Sequence, residues 1–230
     1  MRTIAAFLLA ALLSAPALAE PGAAWRALPA STSADSVALV LRSWELRGGP
    51  GVRPGEAAFA LGQYRYARGE YEPAAAAFVR AAARLDGADR TAARLGFARA
   101  TLALGRAAAA RPAFDEVAHA GPLLRSSALL GLAQCWDAEG HPEKSFDVLR
   151  TLLAGEAGEA GPAALERYAA LAVQFHRDRE AADARTRLKQ QYPHSIEAAR
   201  TPVPAPAPRR ARSAGERLET GAPPSRLPAP

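Results

Sequence analysis

Through most of the chain, apolar residues recur three and four positions apart, the spacing that lines one face of a helix. From Ala34 to Arg47, the residues Val37, Val40, Leu41 and Trp44 share one side, Ser33 or Asp35 is placed to cap the start, and Gly48-Gly49-Pro50-Gly51 breaks the run. Glu56 to Asp86 predicts two antiparallel helices. Gly69 stands where a tight interhelical turn needs a residue without a Cβ, and Leu61, Tyr71, Phe78 and Ala81 supply the apolar faces. Gly62 is a small contact point on the first helix, and Ala74 lets the second approach it closely.

The same order of residues returns twice. Gly105 stands where Gly69 did, followed by Ala107, Ala110, Phe114 and Val117, with Phe97 in the Leu61 position and Gly121-Pro122 closing the unit. A third unit places Leu132 and Trp136 on its first helix, Gly140 at the turn, and Ser145, Leu149 and Leu152 on its second. The turn glycines are 36 and 35 residues apart, which predicts extended interhelical turns. A fourth unit lacks a turn glycine: Tyr168, Ala169 and Val173 precede a turn expected at Arg177-Asp178, then Ala182, Leu188 and Tyr192-Pro193 end it. One helical hairpin cannot bury both of its faces, so the copies must stack on one another. The expected fold is all-α, stacked antiparallel helix pairs in a short solenoid.

Leu61-Gly62, Gly69, Tyr71, Ala74, Phe78 and Ala81, taken in order, resemble the tetratricopeptide repeat (TPR), with Ala58 standing at that family's early aromatic position. Phrases such as Gly69-Glu70-Tyr71-Glu72-Pro73-Ala74 and Leu188-Lys189-Gln190-Gln191-Tyr192-Pro193-His194-Ser195 resemble the repeat domain of the periplasmic Tol-Pal cell-division coordinators, over roughly residues 56–200. No heptad run long enough for that family's trimerising coiled coil occurs. The resemblance implies a concave surface lined by the first helix of each pair and suited to a protein or peptide partner. Projecting the repeat phase onto that surface gives Gln63, Tyr66, Arg99, Gln134 and Asp137 as candidate groove contacts. Ala172-Val173-Gln174-Phe175, with Asp178 to Ala182 and Leu188, is also similar to the first strand and helix of a septal peptidoglycan-binding domain. The Pro-rich sequence from Pro202 stops short of that domain's second half, so a divergent final repeat is expected there.

The two ends read differently from the middle. Arg2, the apolar run Ile4 to Leu13 and the small-x-small pattern Ala17-Leu18-Ala19 read as a signal peptide cleaved after Ala19, the run being shorter than the roughly 20 residues a spanning helix needs. No cysteine stands near that site to carry a lipid, and the one Cys is Cys135. From residue 201 onward the chain is rich in Pro and Arg and poor in large apolar residues, the composition of a disordered tail. The expected organisation is therefore a signal peptide at 1–19, a linker and capping helix at 20–54, about four repeats at 55–200 and a tail at 201–230. The expected location is the periplasm.

Charge narrows the function classes. The chain has 29 Lys and Arg against 23 Asp and Glu. One Arg in the leader and five in the tail leave 23 basic and 21 acidic residues between Glu20 and Arg200. A body this close to neutral lacks the basic face that nucleic-acid binding requires, so no nucleic-acid partner is expected. The basic tail is suited to weak contact with wall polymer or anionic lipid. His119, His141, His176 and His194 are scattered, no metal-binding or nucleophile motif occurs, and Cys135 has no His partner in sequence. No catalytic, metal or cofactor site is expected. Two classes remain: an adaptor binding an envelope protein or peptide, and an accessory protein binding peptidoglycan or envelope polysaccharide through the groove or tail.

Overall fold

The computed structural model describes residues 23–201. The leader with its cleavage after Ala19 and the tail beyond Thr201 lie outside the described residues. Eleven α-helices fill the described span: α1 (Ala23–Ala27), α2 (Ala34–Arg47), α3 (Pro54–Ala67), α4 (Tyr71–Ala82), α5 (Gly87–Ala103), α6 (Ala107–Ala120), α7 (Arg125–Ala138), α8 (Pro142–Ala154), α9 (Gly161–Gln174), α10 (Asp178–Gln191) and α11 (Ile196–Arg200). From α2 to α10 each helix packs against the next in sequence. The result is an all-α solenoid of four stacked hairpins, α3/α4, α5/α6, α7/α8 and α9/α10, with no strand among the described residues. Residues 172–174 belong to α9, which makes the segment similar to a wall-binding strand part of a helical repeat.

The four hairpins turn in the same way. Gly69, Gly105 and Gly140 have φ of 77°, 77° and 76°, and a Cβ there would meet no atom beyond its chain neighbours within 4 Å, so the left-handed backbone is what calls for glycine. In each turn the amide of this residue donates to the carbonyl three back and the next amide to the carbonyl five back, as in Gly69 N to Tyr66 O and Glu70 N to Arg65 O. This satisfies carbonyls that the end of the first helix would otherwise leave bare. The fourth turn uses the same bonds, His176 N to Val173 O and Arg177 N to Ala172 O, with His176 itself at φ 57°. The turn residue is therefore His176, one position before the expected Arg177-Asp178, and the repeat phase continues unbroken. The hairpin turns are equally short. The added length of the period falls instead in the 17-residue α5 and in the connections between hairpins, the longest carrying a 3-10 turn at Gly158–Ala160.

Counting from these turn residues explains the core. Five positions on stand Ala74, Ala110, Ser145 and Ala181, all fully buried where the two helices of a pair approach closely; Ala181 takes the place expected of Ala182, which is exposed. Nine positions on stand Phe78, Phe114 and Leu149, and twelve on stand Ala81, Val117, Leu152 and Leu188, all buried. Each Phe lies in a cleft floored by glycine. A Cβ on Gly62 would come within 2.8 Å of the Phe78 ring, and one on Gly96 of the following pair within 2.6 Å. Gly131 stands in the same relation to Phe114. Gly62 belongs to the repeat pattern visible in the sequence, seven positions before its turn glycine, whereas Gly96 and Gly131, nine positions before theirs, fall outside that register. Each ring, worth about 2–3 kcal/mol on burial, thus joins one hairpin to the next.

The ends of the stack are built to stop it. At the N-terminal end α2 packs on α3 as the second helix of each pair packs on the next first helix, and Trp44 closes over Gly49. Glu45 is buried between Arg42 of its own helix, Arg80 of α4 and Arg84 just beyond the end of α4. The short helix α1, which the sequence pattern did not announce, lies against α3 with Ala24 fully buried. At the other end Arg185 stands where the earlier pairs have Phe or Leu, since no full first helix follows to cover an apolar side chain. The short α11 closes that end, capped by Ser195 Oγ, which accepts from Ala198 N at 3.1 Å.

Candidate functional site

The first helices α3, α5, α7 and α9 end in the same turn, so residues at equal distances before it lie on equivalent faces. Six positions before the turn residue stand Gln63, Arg99, Gln134 and Ala170; three before it stand Tyr66, Leu102, Asp137 and Val173. The seventh position before the turn, held by Gly62, Ala98, Ala133 and Ala169, is buried in every pair. All five sequence-predicted contacts therefore fall on two parallel rows along successive first helices.

The surroundings of the five differ. Tyr66 is partly exposed, its ring 5.3 Å from that of Tyr71 at 60°, and it lies within electrostatic reach of Arg99 on the next first helix. Burial pushes the Tyr66 phenol above its ordinary value, against the pull of Arg99. Arg99 is half-buried; burial lowers its guanidinium from the usual value, outweighing the stabilising fields of Tyr66 and Glu159. Asp137 receives a two-pronged bond from Arg167 of α9, Nε at 2.7 Å and Nη2 at 2.9 Å. Gln63 Oε1 accepts from Trp25 Nε1 of α1 at 2.8 Å. Gln134 is exposed to solvent.

The structure thus sets Tyr66 and Arg99 within electrostatic reach of one another and ties Gln63 and Asp137 to partners that the sequence did not announce. Trp25 carried no periodic signal because α1 is a single turn and a half. Arg167 could have been found only by knowing that α7 and α9 lie side by side. In each of these pairs the partners belong to neighbouring helices along the stack, while Leu102, Ala170 and Val173 interrupt the polar positions of the two rows.

Other candidate chemistry is dispersed. Cys135 is fully buried, and burial, reinforced by Glu139, pushes its thiol up to about 11, far from the thiolate that nucleophilic or redox chemistry uses. His119 contacts its own helix at Asp115 O, His141 sits edge-on to Trp136, His176 makes a turn, and His194 is exposed. Among the described residues no three His, Cys, Asp or Glu side chains stand close enough to hold a metal ion, and no helix is long and apolar enough to cross a membrane.

No family model and no curated protein matches the chain. Among solved structures, PilF of Pseudomonas aeruginosa is 19% identical with a TM-score of 0.48, over 74% of this chain and 81% of that one. The nearly identical TPR-like repeats of a kinesin light chain protein of Podosopora anserina are 15% identical, with a TM-score of 0.49 over 68% of this chain and 93% of that one. A single-substitution form of the same repeats reaches 0.50 at 15% identity, over 71% of this chain and 96% of that one. The last agrees with the fold read from the hairpins, a TPR-like helical solenoid.

Proposed function

We propose that this protein is a non-catalytic adaptor that holds an extended segment of a partner protein along the face of its first helices. The observation that carries the reading is the row Gln63, Arg99 and Gln134, flanked by Tyr66 and Asp137, at one repeated position on successive helices. Side-chain amides and a guanidinium spaced along a solenoid are suited to the regularly spaced peptide groups of an extended chain. The chain is exported through the leader that ends at Ala19 and works in the periplasm. Its partners belong to the cell envelope, in the organisation of the envelope during division, as in the Tol-Pal coordinators whose repeats its own resemble. The unit that binds is the repeat array of residues 55–200, and the tail from 201 adds weak contact with wall or anionic lipid.

The test is crosslinking in intact envelope, followed by mass spectrometry, for the mature chain and for the Tyr66→Ala, Arg99→Ala double variant. A partner protein captured by the first and lost from the second supports the reading. Capture unchanged by the double variant removes the binding surface from this face, and recovery of wall material alone replaces the adaptor with a glycan-binding accessory.

A further inference from the structure

Arg99 stands apart among the charged residues of this face. Asp137 is already engaged by Arg167, while Arg99 has no carboxylate within ion-pair distance and no side-chain hydrogen bond among the described residues. It is nevertheless half-buried, on the second of the four first helices, with Tyr66 and Glu159 both within electrostatic reach. A guanidinium withdrawn from water without a counter-ion costs stability, and a bound carboxylate would offset that cost with charge-assisted bonds. A phosphate chain or an acidic glycan would call for several converging cations. Here Glu159 lies within electrostatic reach of Arg99 and the neighbouring Asp137 is matched by Arg167, and that balance suits one carboxylate.

The place of Arg99 on the second of four first helices also bears on where along a partner such a carboxylate would fall. Neighbouring first helices are about 9 Å apart, so four span about 30 Å, the reach of roughly nine extended residues. With α3 on one side of Arg99 and α7 and α9 on the other, a chain ending at Arg99 would leave part of the face uncovered.

We infer that Arg99 sets the specificity of this face by pairing with an internal Glu or Asp side chain of an extended partner segment, Tyr66 packing beside it. The inference rests on the first-helix face being the binding surface, and the test separates the two. The mature chain is panned against a random nonapeptide library in two arms, one with amidated and one with free C-termini. Enrichment of Glu or Asp at one internal position in both arms is expected. The Arg99→Glu variant should exchange that preference for Lys or Arg, and Arg99→Gln should bind a soluble Glu-containing peptide at least about tenfold more weakly while holding its Gln counterpart within about twofold. Since Arg99 makes no ion pair, these variants should keep the wild-type helix content, which circular dichroism checks.

Loss of binding on Gln134→Ala without any acidic preference overturns the role of Arg99 and leaves the surface standing. Enrichment of free C-termini alone overturns the internal placement. If no peptide is retained, or if Gln134→Ala and Tyr66→Ala leave binding unchanged, the surface itself is wrong.

Discussion

His176 offers a direct test of the turn argument. It occupies the left-handed position that glycine holds in the other three hairpins, at φ 57°, and its two turn hydrogen bonds of 3.0 and 2.7 Å match those at Gly140, 3.1 and 2.8 Å. The bonds being the same, the difference between the turns is the Cβ. A residue with a Cβ in this conformation costs roughly 1–2 kcal/mol. Replacing it by glycine relieves that strain but gives the unfolded chain more freedom, an opposing change of about 0.4–1 kcal/mol. The imidazole is exposed, so little packing is lost. His176→Gly should therefore stabilise the fourth hairpin by about 0.5–1 kcal/mol. Gly140→Ala, which introduces the strain at an equivalent turn, should destabilise by a similar amount.

Hydrogen exchange on α10 is the assay, because in a stacked array the end hairpin opens before the middle and a global melt would dilute the effect. The α10 amides of His176→Gly should exchange up to about fivefold more slowly. Faster exchange, or no change alongside a clear loss in Gly140→Ala, would refute the claim that the fourth turn carries backbone strain.

Two further predictions concern the other joints. At Glu45, burial raises the carboxyl's pKa, but hydrogen bonds from Arg80 and Arg42 outweigh it and hold the group below its usual value. Its contribution is therefore fully present above the unfolded pKa of about 4.3 and is lost as pH falls through the lower folded value. Glu45→Gln should speed exchange of the α2 amides at neutral pH, with the difference from wild type shrinking below about pH 4; a difference that grows on acidification would contradict this. Gly131→Ala should cost about 1–3 kcal/mol, since its methyl enters the space of the Phe114 ring, and the companion change Phe114→Leu should recover part of that in a double-mutant cycle read by urea melts.

These sites also mark where the sequence was legible. The hairpins could be read because turn glycines and the residues five, nine and twelve positions on recur in phase, and a period is visible without knowing what touches what. Gly96 and Gly131 were hidden because the ring they receive belongs to the preceding hairpin, a contact defined by stacking. His176 escaped because the turn demands a backbone conformation, which glycine signals and histidine does not.

The proposed binding face divides in the same way. The rows through Gln63, Arg99 and Gln134 followed from counting back from the turns, and the structure keeps that register. The count could not tell an engaged side chain from an available one, since Gln63 is held by Trp25 across 38 residues and Asp137 by Arg167 across 30. Such pairings depend on which first helices are neighbours and on α1, a helix too short to leave a periodic trace. Of the three charged or aromatic residues on these rows, Asp137 is already neutralised and Tyr66 is packed against Tyr71. Arg99 alone keeps a charge for which the described structure provides no close counter-ion, and a partner's preference is best sought where the fold leaves that charge uncompensated.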